Sequence, residues 1–126
     1  MTTPDPLTPL AVEAKLRSLV TELSRAQYAL AQARDLEVDA RHEYERARRR
    51  ALLSEKSPKV TRGGYTTAER DAWVDEQVTD LRLKYDRTVV TRESAQDHLR
   101  VLRDQAEIVR SLGASVRQAY ELAAAS

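Results

Sequence analysis

LAVEAKLRSLVTELSRAQYALAQARDLEVDARHEYERARRRALLSE, residues Leu10 to Glu55, contains neither glycine nor proline. Nothing in it interrupts a helix for about 46 residues, or roughly 69 Å at 1.5 Å per residue. Within it Val12, Leu16, Leu19, Leu23, Ala26, Leu30, Ala33, Glu37, Ala40, Tyr44, Ala47 and Ala51 alternate steps of four and three. That is the spacing of a heptad seam, and only Glu37 breaks its apolar character. Thr8-Pro9 marks the start. A hydroxyl N-cap is followed by proline at the first helical position, where its missing N–H costs nothing.

Beyond this stretch Pro58, Gly63 and Gly64 punctuate the chain, and 57–65 reads as a basic loop. Thr66 and Glu69 have capping-box spacing, so a second helix is expected from Thr66. Its seam is Val74, Val78, Leu81, Tyr85, Thr88, Arg92, Ala95, Leu99, Leu102, Ala106, Val109, Gly113, Val116 and Tyr120, with Thr88, Arg92 and Gly113 as weak points. A short loop between two such helices makes them antiparallel neighbours. The fold class expected is all-α, a long antiparallel two-helix coiled-coil hairpin, with pairing of two hairpins into a four-helix bundle as its natural extension. The chain reads as one domain: an arm at 1–8 containing Pro4 and Pro6, helix 1 at 9–56, the loop, and helix 2 at 66–126.

If Glu55 faces Thr67, opposed residue numbers sum to about 122. Glu37 then faces Tyr85, Leu10 faces Leu112, and Glu37 and Arg92 are some seven residues out of register, too far for a direct pair. Helix 1 runs out near Gly113, so residues beyond it overhang without an internal partner. Gly113 costs about 1 kcal/mol relative to alanine in a helix interior. It reads either as a hinge or as a place where another helix approaches closely.

The composition sets limits on function. With 41% hydrophobic and 33% charged residues, the chain is too apolar for disorder and too polar for a large globular core. It has no Phe, one Trp and five Tyr, so Leu, Val and Ala must form the seam. Cysteine is absent, which removes disulfides, thiol chemistry and Cys-based zinc sites. No apolar run approaches the roughly 20 residues that span a bilayer, and the first residues lack the pattern of a signal peptide. Cytoplasmic residence and no membrane partner are expected.

No catalytic, cofactor or metal site is expected either. His42 and His98 fall about 18 residues apart along a hairpin, or roughly 27 Å. Gly63-Gly64 is a turn and not a phosphate loop. A two-helix pair offers no concave pocket for a small-molecule substrate.

Two features point to partners. Between positions 46 and 62, Arg46, Arg48, Arg49, Arg50, Lys56, Lys59 and Arg62 face only Glu55, giving a local charge of +6 in a chain of net charge +1. With Tyr65 beside them to stack on a base, these are the candidate nucleic-acid contacts. Arginines on a solvated helix face, neutralised by the five acids between Asp35 and Glu45, are the plainer alternative. The second feature is apolar surface off the seam of helix 2: Leu83, Val90, Val101, Ile108 and Leu112. With Val116 and Tyr120 of the overhang, they are the candidate contacts for a protein partner or a second copy.

The stretch Val109-Arg110-Ser111-Leu112-Gly113-Ala114-Ser115-Val116-Arg117, then Tyr120-Glu121-Leu122, together with Thr66-Thr67-Ala68-Glu69-Arg70-Asp71 after a basic tip, resembles small coiled-coil accessory proteins of phages and prophages of high-GC Gram-positive bacteria. That resemblance implies an accessory protein working through protein or DNA contacts. The functional expectation is a non-enzymatic coiled-coil adaptor, a homo-oligomer that binds a protein partner through helix 2 and its overhang. A nucleic-acid-binding accessory role through the basic tip and a phage structural or scaffold role are the alternatives.

Overall fold

Thr8 begins the first helix as its spelling predicts. Its hydroxyl accepts the amide of Ala11 at 3.0 Å, and α1 runs unbroken from Pro9 to Leu53. The computed structural model describes residues 8–125. The expected N-terminal arm therefore lies, except for Thr8, outside the described residues. Helix α1 stops three residues short of the expected 56. Ser54 takes the amide of Lys56 on its side chain at 3.2 Å, competing with the helix for that donor. Pro58 then disfavours helical geometry at Ser57.

The loop closes on a turn in which Gly64 N–H donates to Thr61 C=O at 3.0 Å. Gly63, the third residue of that turn, has φ +82°, a conformation that excludes most side chains. Thr66 is the N-cap of the second helix. Its hydroxyl accepts from Glu69 N–H, and the Glu69 carboxylate accepts from Thr66 N–H, completing the capping box.

The second helix is not continuous, as had been expected, but is divided into α2, Thr67–Gln77, and α3, Thr79–Ala125. The Thr79 hydroxyl donates back to the carbonyls of Asp75 and Glu76 at 2.9 and 3.2 Å. Such back-bonding competes with the helical ladder and bends helices. Val78, between the two, leaves helical geometry with φ −115° and ψ 16° while staying buried. Gly113 causes no break: α3 passes through it.

The described residues are all-α, and the chain divides into two compact units. The first comprises residues 1–30 and 95–126, the second 31–94. In the first, Leu19, Ala26, Leu30, Leu99, Leu102 and Ala106 form the buried cluster, flanked by Leu23, Ala95 and Val109. All nine are seam positions of the two heptad patterns. Gly113 is buried against Val12, and a Cβ there would come within 2.9 Å of the Val12 Cγ1. Gly113 is thus the site of close helix approach.

In the second unit the pairing is antiparallel, from Arg48–Asp75 at the loop end to Glu37–Arg92 at the other. Ala33, Ala40, Tyr44, Val74 and Val78 are its buried apolar residues. The register differs from the expected sum of 122. Val12 and Gly113 sum to 125, and the cross-helix pairs of the second unit to between 123 and 129. The Glu37–Arg92 pair and the Tyr44–Tyr85 stack share the sum of 129, so the pair thought too far apart forms directly.

Candidate functional site

The polar residues of the seam are spoken for. Arg92 donates to Glu37 through Nε at 2.7 Å and Nη2 at 3.3 Å, with the two side chains 24% and 17% exposed. The hydrogen bond from Arg92 holds the Glu37 carboxyl below its ordinary value against the opposing effect of burial, with the charges of Arg92 and Arg41 adding to it. Next along this unit, the Tyr44 and Tyr85 rings stack with centroids 6.1 Å apart, and the Arg82 guanidinium lies 5.5 Å from the Tyr44 centroid. Burial opposes ionisation of the Tyr44 phenol. Hydrogen bonds from Arg48 and Arg82 at 3.4 and 3.3 Å outweigh it and hold the phenol below its ordinary value. This layer joins the helices of the second unit.

Among the described residues no group of three or more histidine, aspartate or glutamate side chains is arranged to hold a metal ion, and no helix is long and apolar enough to cross a membrane. His42 is exposed and borders a shallow surface depression with Glu45, Arg46 and Arg49.

The basic residues of the second unit separate into two sets. Arg48 is half-buried and engaged, bonding Tyr44 and pairing with Asp75 at 3.3 Å. Arg46, Arg49, Arg50, Lys56, Lys59 and Arg62 are exposed, and none forms an ion pair among the described residues. No acid between Asp35 and Glu45 forms an ion pair with Arg46, Arg49 or Arg50 among the described residues. Glu43 instead pairs with Lys84 at 2.9 Å, and Glu37 with Arg92. Beside the loop an open concavity of about 820 Å³ is bordered by Lys56, Lys59, Tyr65 and Trp73, with Glu55 and Glu69 on its rim. Trp73 was not singled out in the sequence. It sits one residue before the seam position Val74, and that neighbourhood is the only signal that could have marked it.

The first unit carries the clearer apolar surface. Val101, Ile108 and Leu112 are spaced by seven and four on unbroken α3 and are 50%, 59% and 42% exposed. The nearby seam residues Leu99, Leu102 and Ala106 are at most 6% exposed, and Val109 is half-buried. Ile108 and Leu112 share a shallow depression with Glu107, Ser111 and Ser115. Tyr120 is exposed, as expected of an overhang. Val116 is not: it is half-buried, and Arg117 borders a concavity with Pro9, Val12 and Gly113. The first turn of α1 therefore reaches α3 beyond Gly113, and the overhang is shorter than expected. Leu83 and Val90 are exposed on the part of α3 in the second unit. No family model, no curated protein and no solved structure matches this chain.

Proposed function

We propose that the protein is a non-enzymatic helical interaction protein that self-associates through the outward face of α3 in its first unit. The observation that carries this reading is the contrast along one helix. Val101, Ile108 and Leu112 keep about half of their surface in water, while the nearby seam residues Leu99, Leu102 and Ala106 lose nearly all of theirs. Aliphatic residues repeated at seven and four on one helix make a stripe that a second helix covers efficiently. A second copy of α3 presents the same stripe, and a two-fold axis lets each copy cover the other. The seam itself is filled from within the chain, so it is not the surface on offer. An adaptor role toward other proteins, including the phage-accessory role implied by the sequence resemblance, would use the same face once the copies exchange for a partner.

The test is mass in solution. Light scattering on the full chain over a wide concentration range is expected to give twice the monomer mass at the upper end. Ile108→Glu puts a charge in the middle of the face without touching the seam, and should return the protein to monomer with its helicity intact. A wild-type chain that stays monomeric throughout, or an Ile108→Glu variant that associates equally well, contradicts the proposal.

A further inference from the structure

The loop end of the second unit carries a separate surface, independent of α3 in the first unit. Six cations, Arg46, Arg49, Arg50, Lys56, Lys59 and Arg62, stand exposed without ion-pair partners among the described residues. Elsewhere in this unit cations are paired, Lys84 with Glu43 and Arg48 with Asp75. Arg46, Arg49 and Arg50 precede the end of α1 at Leu53 by one to two turns, and the other three lie in the loop that follows.

Two aromatic rings border the same concavity as Lys56 and Lys59, while Arg46 and Arg49 border a separate depression with His42 and Glu45. Tyr65 is 54% exposed, and Trp73 is half-buried. Two carboxylates share that rim. Glu69 is committed to the cap, accepting from Thr66 N–H and Oγ1 at 3.4 and 3.1 Å. Glu55 is the one uncommitted acid of the rim. Pro58 and the turn at Gly63 constrain the loop that carries Lys59 and Arg62, and Lys56 and Lys59 border the same concavity as the two rings.

We propose that this end of the second unit binds single-stranded nucleic acid, with backbone phosphates on the exposed cations and a base stacked on the ring of Tyr65 or Trp73. Cations spaced beside accessible rings are what an unpaired strand uses, because its bases have free faces. A duplex keeps those faces stacked inside, and the rings would contribute nothing to holding it. An acidic peptide would satisfy the charges but has no flat partner for the rings.

The protein carries its own reporter, since Trp73 is its only tryptophan. Full-length protein is titrated with a labelled oligothymidine and with a duplex of equal length, following label anisotropy and tryptophan emission over a salt series. Expected are quenching of Trp73 by the single strand, weaker binding of the duplex, and affinity that falls with salt. Each phosphate contact contributes a slope of about −0.7 in log affinity against log salt. Changing Arg49, Arg50 and Lys59 to Glu should therefore weaken binding more than tenfold and flatten the slope by roughly 2. Tyr65→Ala, which leaves the charge unchanged, should lower affinity about 5- to 100-fold without changing the slope. All these positions are exposed, and circular dichroism confirms that the variants keep their helix content. The proposal is overturned if low-salt binding is absent, if duplex or polyglutamate binds as tightly as the single strand, or if Tyr65→Ala leaves affinity and quenching unchanged.

Discussion

Glu37 and Arg92 are the two seam positions that look wrong in the sequence, and they are right together. Each alone would place a charge among apolar neighbours. As a two-point pair, each satisfies the other at 2.7 and 3.3 Å. Such pairs add little stability relative to apolar residues, but they favour one register because any slip leaves a charge half-buried and alone. A pH dependence follows. Arg92 lowers the folded-state pKa of Glu37 below the ordinary value of 4.5. The folded state therefore favours ionised Glu37, a contribution fully present above the unfolded pKa and lost as pH falls through the lowered folded pKa. Thermal denaturation followed from pH 7 to pH 3 should show a fall in midpoint below about pH 4.5 that is shallower in Glu37→Gln. An unchanged acid limb in that variant counts against the pair. The residues themselves announced that something polar crosses the seam. Their partnership was hidden because it depends on a register a few residues from the one that the loop ends suggest.

At the level of elements, the heptad spacing proved the most readable feature. Nearly every seam position of both patterns is buried or half-buried, from Val12 to Ala51 and from Val74 to Val116. The caps were equally legible, because Thr8-Pro9 and Thr66 to Glu69 carry their mechanism in the side chains that make them. The division at Val78 was not: the Thr79 hydroxyl back-bonds there, yet Thr21 and Thr91 back-bond inside unbroken helices, so a threonine alone does not announce a break. Nor could spacing decide between hinge and close approach at Gly113. The structure places Val12 against it, and this makes an unusual prediction. Gly113→Ala improves helix propensity by about 1 kcal/mol but sets a methyl within 2.9 Å of Val12 Cγ1. Valine has essentially one rotamer in a helix and cannot swing away, so crowding costing about 1–3 kcal/mol wins and the variant loses stability. In a Val12→Ala background the same change should instead stabilise by about 1 kcal/mol. A denaturant double-mutant cycle measures the reversal of sign, and its absence would show that the helices do not meet there.

For the molecule as a whole, the two candidate surfaces belong to different units and call on different physics. The second unit concentrates a +6 segment in a chain of net charge +1, so the remaining residues sum to about −5. The first unit instead offers aliphatic residues in regular steps. Both surfaces were marked in the sequence, the cations by their density and the aliphatics by their displacement from the seam. What the sequence did not separate was engaged from free: Arg48 is taken up by Tyr44 and Asp75, Val116 is half-buried, and Trp73 lies beside the charges. These distinctions depend on which side chains meet across helices, and periodicity along one helix carries no such information. Function on this reading resides on outward faces, while the buried seam only holds the helices in register. The direct measurement is methyl and amide chemical shift mapping by NMR as the protein is diluted from high to low concentration. Signals of Val101, Ile108 and Leu112 should shift together with one dissociation constant while Leu19, Leu99 and Leu102 stay in place. Shifts centred on those seam leucines, or none at all across the dilution, would contradict it.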